Sequence, residues 1–289
     1  MQTTNEIVIL SGKGGTGKTS ISAAFASLSS NIVLADCDVD AANMHLIMQP
    51  ENYVEEAFLT GYKAKVNHND CILCGKCIDF CRFEAITEFQ NRIIISESAC
   101  DGCRVCEKIC PTKAIAMFPN NLSKFFIGKF RYGNMVHARL APGEDNSGKL
   151  VAYVKKKSRE LVTESQILLI DGPPGIGCPV IASLSGANKV VLVTEPTISG
   201  ISDLKRIIDL LKAYKGTIYL IINKFDINMD YSERIKQVAK IHNITVLGEI
   251  PYNRIFTDAM INCKSVTEFS PEHKISLLIK SFWTKLTSE

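Results

Sequence analysis

Short apolar runs alternate with longer amphipathic stretches along most of this chain, and the alternation breaks once. Residues 6–10 (EIVIL) form a compact apolar run ending in a glycine-rich turn, and residues 17–28 carry helical spacing. Residues 31–36 (NIVLAD) give a second buried strand. After residue 60 the rhythm stops, and a cysteine-rich segment occupies residues 62–118. The rhythm resumes with a helix over 147–160 and strands over 166–170 (QILLI) and 189–194 (KVVLVT). A helix over 200–214, a strand over 217–222 (TIYLII), a helix over 231–242 and a strand over 245–247 follow. Helices over 254–262 and 271–286 complete the pattern. Strands apolar at successive positions are buried on both faces, as in a parallel sheet covered by crossover helices. The expected fold is α/β: a doubly wound, mostly parallel sheet from residues 1–61 and 119–289, with a small α+β domain inserted at 62–118.

Composition removes some alternatives. The 289 residues are 46% hydrophobic and 22% charged, ordinary for a globular chain. A net charge of +3 is too small for a concentrated basic face, so nucleic acid is not an expected partner. The start MQTTNEIVIL lacks a basic segment followed by an apolar core, and no apolar run nears the ~20 residues of a membrane span. A cytoplasmic location is expected. The last helix carries Ile275, Leu278, Ile279, Phe282 and Leu286 on one face, with Trp283 and three lysines near it. Such a wide, mildly basic stripe reads as a core cover rather than a membrane anchor. Lys155-Lys156-Lys157 reads as a solvated helix face.

Residues 12–19 (GKGGTGKT) fit G-x-x-x-x-G-K-[ST] between an apolar strand and a helix. Gly12, Lys13, Gly14, Gly15, Thr16, Gly17, Lys18, Thr19 and Ser20 are therefore the expected nucleotide-binding residues. Glycines let backbone N–H groups point at phosphate oxygens, and the helix N-terminus adds its positive end. Lys18 would reach the β- and γ-phosphates and the Thr19 hydroxyl would ligate Mg2+.

Eleven cysteines in such a chain point to metal ligation rather than disulfides. Eight lie between Cys71 and Cys110, in two runs of C-x2-C-x2-C-x3-C; Cys37, Cys178 and Cys263 are scattered and read as small packed side chains. In the bacterial two-cluster ferredoxin pattern the fourth cysteine of each run ligates the other cluster. One 4Fe–4S cluster then takes Cys71, Cys74, Cys77 and Cys110, and the other takes Cys100, Cys103, Cys106 and Cys81. Structural zinc also accepts four thiolates, but its cysteines come as pairs with a longer spacer. Pro111 follows the second run as the pattern expects, whereas Arg82 stands after the first. The stretches EAIT (84–87) and KAIA (113–116) support a duplication.

Lys13, directly after the first glycine, makes the phosphate loop a deviant Walker A motif. With it the α/β part resembles the MinD/ParA and nitrogenase iron protein superfamily. The whole chain resembles a group of these P-loop ATPases that carries an inserted ferredoxin domain, to which MVHARLAPGEDNSGKLV (135–151) and IDGPPGIGCPVIAS (170–183) are also similar. The resemblance implies ATP as the nucleotide and a homodimer on ATP binding, with Lys13 reaching the partner's phosphates. It implies that Asp38, in DCDVD, orients the attacking water, and that Asp171, in DGPPGIGCP, stands near Mg2+. Asn223, in INKFD, and Pro251, in EIPYN, would lie on the adenine side, although Asn223-Lys224-Phe225-Asp226 also resembles the guanine motif N-K-x-D. Cys178 matches half of the cluster-bridging motif of the nitrogenase iron protein. Together the modules imply an ATP-driven dimer switch that gates electron transfer to a redox partner. The second reading is an ATPase that carries clusters or a metal cofactor to an apo-metalloprotein. A positioning ATPase would leave the eight clustered cysteines unexplained.

Overall fold

The structure, a computed structural model of the chain, describes residues 5–142, 144, 146–164 and 166–288. They form two compact units, one of Met1–Glu55, Phe125–Ala138 and Gly148–Glu289, the other of Glu56–Lys124 and Arg139–Ser147. The strands, in chain order, begin with β1 (Asn5–Ser11), β2 (Ile32–Asp36), β3 (Glu51–Phe58), β4 (Gly61–Val66), β5 (Ile86–Phe89), β6 (Arg92–Ile95) and β7 (Ile115–Asn120). They continue with β8 (Ser123–Phe130), β9 (Gly133–Arg139), β10 (Ile167–Pro174), β11 (Lys189–Thr194), β12 (Thr217–Asn223) and β13 (Thr245–Ile250).

The large sheet has the order β13-β12-β11-β1-β10-β2-β9-β8-β3, and its pairs from β13 through β9 are parallel. Residues 7–10 of β1 are buried on both faces, which explains their unbroken apolar run. The register sets Ile9 opposite Asp171, and Asp171 opposite Asp36. The carboxyl ends of β1, β10 and β2 thus share one edge, where open α/β sheets bind ligands. The strands β3, β8 and β9, on the β3 side of the sheet, lie outside the predicted strands. β3 is mostly exposed and has no apolar alternation to read. β8 and β9 are joined by Arg131-Tyr132, and Gly133 permits the close approach to β2, since a Cβ there would sit 1.9 Å from the Ile32 carbonyl oxygen.

The helix Lys274–Thr287 buries Ile275, Ile279, Phe282, Trp283 and Leu286 against the core. Trp283 packs against Phe25 in a tilted pair with ring centroids 5.2 Å apart, and Lys189 Nζ donates to the Leu286 carbonyl at 2.7 Å. Gly248 of β13 faces Phe282 so closely that a Cβ would lie 2.2 Å from the ring. Among the described residues no helix is long and apolar enough to cross a membrane. The lysine run on the helix Ser147–Leu161 departs from the reading as a solvated face. Lys155 is buried, 3.3 Å from Glu6 of β1, and donates to the Ser183 carbonyl. Burial pushes its ammonium down to about 8, and Arg159 shares the same carboxylate. A carboxylate buried in the central strand needs these partners.

In the smaller unit β4 pairs antiparallel with β7, and β5 with β6. Positions 29 apart repeat the same left-handed backbone: Leu73 and Gly102 (φ 57° and 72°), Gly75 and Arg104 (74° and 65°), Glu84 and Lys113 (52° and 55°). The two cysteine runs are therefore one conformation used twice. At Gly102 a Cβ would fall 2.1 Å from the Tyr62 carbonyl oxygen, so only glycine fits.

Phe282→Ala is expected to lower unfolding free energy by roughly 3–5 kcal/mol in chemical denaturation. A loss under 1 kcal/mol would place the last helix outside the core.

Candidate functional site

The chain leaves β1 at Ser11, turns through residues 12–17 and enters the helix Lys18–Ser27. Gly15 and Gly17 hold φ of 81° and 90°, where other residues are strained. A Cβ on Gly14 or Gly15 would meet nothing within 4 Å, because both face an open cleft of about 590 Å³. That volume suits a small-molecule site. Gly12 and Gly17 are packed instead: a Cβ would lie 2.3 Å from Asp203 Cβ and from Asn223 Nδ2, respectively. The Thr16 hydroxyl is buried without a hydrogen-bond partner, which fits a phosphate oxygen. Ser20 lies on the cleft wall with Lys18 and Thr19.

Behind the loop, charge accumulates. Lys18 Nζ lies 2.9 Å from Asp171 Oδ1 and 3.8 Å from Asp38 Oδ2. The hydroxyls of Thr19 and Ser22 donate to Asp171 Oδ2 and Oδ1, each at 2.8 Å. Asp36 accepts from the backbone N–H groups of Asp38 (3.1 Å) and Met44 (3.3 Å). Three carboxylates thus share one ammonium in a dry site. Burial, and then the Asp171 charge, pushes the Asp36 carboxyl up to about 8. Burial also raises Asp38. Burial opposes the charge on Lys18, but Asp171 and Asp38 outweigh it and hold the ammonium above its usual range. A surplus of buried negative charge beside a threonine hydroxyl fits Mg2+, a hard cation that takes oxygen ligands.

Lys13 is paired within its own chain. Its Nζ lies 2.6 Å from Glu195 Oε1 and donates to the hydroxyls of Ser199 (3.0 Å) and Thr197 (3.4 Å). Lys224 takes the other Glu195 oxygen at 3.1 Å and donates to the Gly15 carbonyl at 3.2 Å. Burial raises Glu195, but hydrogen bonds from Lys13 and Lys224 outweigh it and keep the carboxyl below its usual range. Sequence reasoning missed Glu195 and assigned no role to Asp36; the signal for both was their place at a strand end.

Asn223, at the end of β12, donates from Nδ2 to the Thr16 carbonyl at 2.8 Å, so it braces the phosphate loop. Pro251 follows β13 on the same cleft wall. Asp226 accepts the Tyr252 N–H at 2.6 Å, so the last residue of N-K-x-D holds a loop.

The eight clustered cysteines sort into two hollows in the smaller unit. Cys71, Cys74, Cys77 and Cys110 line one; Cys81, Cys100, Cys103 and Cys106 line the other. All are free thiols. Burial raises Cys77, and raises Cys106 to about 11. At Cys110 burial also acts upward, but hydrogen bonds from Thr112 and Ala114 overcome it. Among the described residues no three Cys, His, Asp or Glu side chains converge on a single-ion position. Of the scattered cysteines Cys37 is buried and Cys263 half-buried, while Cys178 is exposed at the start of the helix Cys178–Leu184, contrary to the packed role expected of it.

The Asp36 shift sets a pH dependence. Raised above its unfolded value, the carboxyl binds a proton more tightly in the folded chain, which stabilises the fold at low pH and is lost as pH rises through about 8. In denaturation curves without divalent cations, wild type is expected to lose stability relative to Asp36→Asn from about pH 4 to 8. Parallel curves across that window would show that Asp36 holds no proton.

Comparison with known proteins agrees with this geometry. The CobQ/CobB/MinD/ParA nucleotide binding domain matches residues 7–266. An uncharacterized protein of Methanocaldococcus jannaschii is 32% identical over 287 residues, covering 97% of this chain and 96% of its own. The septum site-determining protein MinD of Thermotoga maritima is 25% identical over 232 residues, covering 78% of this chain and 66% of its own. Among solved structures, MinD of Pyrococcus horikoshii, complexed with Mg-ADP, superposes with a TM-score of 0.60 at 18% identity, over 98% of this chain and 96% of that one. The fold is thus a MinD-like α/β fold with small antiparallel sheets inserted, and the chain belongs to the CobQ/CobB/MinD/ParA family of nucleotide-binding P-loop proteins.

Proposed function

We propose that this protein is an ATP-hydrolysing iron–sulfur protein in which an ATP-driven homodimer switch gates electron transfer to a partner protein. The reading rests above all on the division of the eight cysteines into two groups of four around two hollows, in the crossed pairing of a two-cluster ferredoxin. A cubane is held at four separate iron corners, so its thiolates stand around a volume instead of converging on one point. Residues 62–118 are then the cluster domain, set into an ATPase domain of 1–61 and 119–289.

When bound, the two clusters supply one-electron redox chemistry. The cleft residues divide the phosphoryl chemistry among them. The loop N–H groups and Lys18 hold the β- and γ-phosphates, and the Thr16 hydroxyl gains the partner it lacks. Thr19 and Asp171, which meet beside Lys18, would hold Mg2+, and its charge would offset the crowded carboxylates there. Asp38, with its raised proton affinity, positions the attacking water. Lys13 exchanges Glu195 for phosphates across the dimer, coupling nucleotide to association. Asn223 and Pro251 border the base.

Two measurements test this. Lys18→Ala is expected to reduce ATP turnover about 10²–10³-fold, as loss of a transition-state charge partner does. Anaerobically purified protein is expected to retain about eight irons per chain against a strong chelator, with or without ATP. Iron released on adding ATP would favour the carrier of clusters or metal. Chelator-stable zinc would remove the redox reading altogether.

A further inference from the structure

The two hollows share one backbone but not one lining. Cys110 Sγ accepts from the Ala114 N–H at 3.2 Å and lies 3.7 Å from the Thr112 hydroxyl. The residue 29 positions before Thr112 is Phe83, which lines the other hollow and has no hydroxyl. Charge differs in the same sense. The Cys71 hollow is lined by Lys76 and, at the place of Asp101, by Ile72. The Cys100 hollow is lined by Asp101 and Arg104, whose charges offset, and the Arg104 guanidinium lies 4.6 Å from the Tyr62 ring centroid. Lys63 Nζ donates to the Cys100 carbonyl at 2.8 Å, but Glu144, 3.4 Å from the same ammonium, balances it. Val105 replaces Lys76 there. Arg82 is exposed, sits 5.1 Å from the Phe83 ring centroid and lines neither hollow. Each rim has one exposed cysteine, Cys74 and Cys103, so water access does not separate the two sites.

Reduction adds one negative charge to a cluster. Hydrogen bonds to its sulfurs and nearby positive charge stabilise that form and raise the potential. Both differences point the same way.

We propose that Thr112 and Lys76 set the order of the two clusters, so that the site of Cys71, Cys74, Cys77 and Cys110 has the higher reduction potential. This rests on the reading of both hollows as 4Fe–4S sites. An electron given up by a low-potential one-electron donor, which is oxidised in the exchange, then resides at the Cys71 site with no bond made or broken. Thr112 is a positioning residue here, acting through the Cys110 sulfur.

The test is a dithionite titration of the anaerobic holoprotein, followed by electron paramagnetic resonance, after its iron has been counted. Wild type is expected to show two separate reduction waves. Thr112→Val is expected to move the upper wave down, changing its reduced-to-oxidised ratio by about tenfold, ~59 mV for one electron, and to leave the lower wave in place. Thr112→Ser is expected to keep the wild-type position, and Lys76→Met to move the same upper wave down. Coincident wild-type waves overturn the proposal. So does a Thr112→Val or Lys76→Met protein with about eight irons in which the lower wave moves or neither moves. Wild type without about eight irons overturns the cluster reading itself, and the proposal with it.

Discussion

Three carboxylates and one ammonium, buried together at the ends of adjoining strands, are the constraint around which the larger unit is arranged. Asp36, Asp38 and Asp171 would repel one another in a dry site, and Lys18 can balance only one of them. The parallel register of β10 with β1 and β2 forces Asp36 and Asp171 side by side. Four polar groups are committed to this charge: hydroxyls from Thr19 and Ser22, and backbone N–H groups from Asp38 and Met44. Folding alone leaves the site short of positive charge, and a proton on Asp36 or a divalent cation supplies it. A protein selected only for stability would fill such a place with apolar side chains. Retaining the imbalance suits a site that takes up positive charge from outside the chain.

The same logic separates what was legible in the sequence from what was not. The central strands were legible because burial on both faces leaves an unbroken apolar signature, as in residues 7–10 and 190–193. The phosphate loop was legible because its glycines answer to backbone geometry, which local spacing records. The strands β3, β8 and β9 were not: β3 is mostly exposed, and the buried run of β9 is broken in composition by His137. Nor was Lys155. Adjacent residues on a helix point about 100° apart, so a run of three lysines sweeps about 200° of its surface, and only Glu6, nearly 150 residues earlier, decides that Lys155 turns inward. Glu195 was hidden for the same reason, because its meaning comes from Lys13 and Lys224 on other strand ends.

The smaller unit shows how far a repeated backbone can be kept while its chemistry diverges. Left-handed residues recur at three equivalent positions, yet the glycine falls at the first of them in one repeat and at the second in the other. Leu73 and Arg104 accept the strain that glycine avoids in the partner repeat, so the turn is fixed by the arrangement of cysteines and not by one residue's preference. That conservation of path leaves the side chains between the cysteines free to differ. Hydroxyl against ring and lone cation against balanced pair are the differences it permits.

The two units also offer chemically distinct donors. The cleft offers carboxylate and hydroxyl oxygens, which favour a hard cation such as Mg2+. The hollows offer thiols, soft donors that favour iron–sulfur clusters or zinc over Mg2+. Burial works on both donor sets in the same direction, holding protons on Asp36 and on Cys106. A metal that binds either donor set must displace those protons. Cys178 is exposed, while Cys37, next to Asp36 and Asp38 in sequence, is buried and held protonated and so offers the carboxylates no competing thiolate. The two donor sets therefore differ in kind, oxygen in one and sulfur in the other.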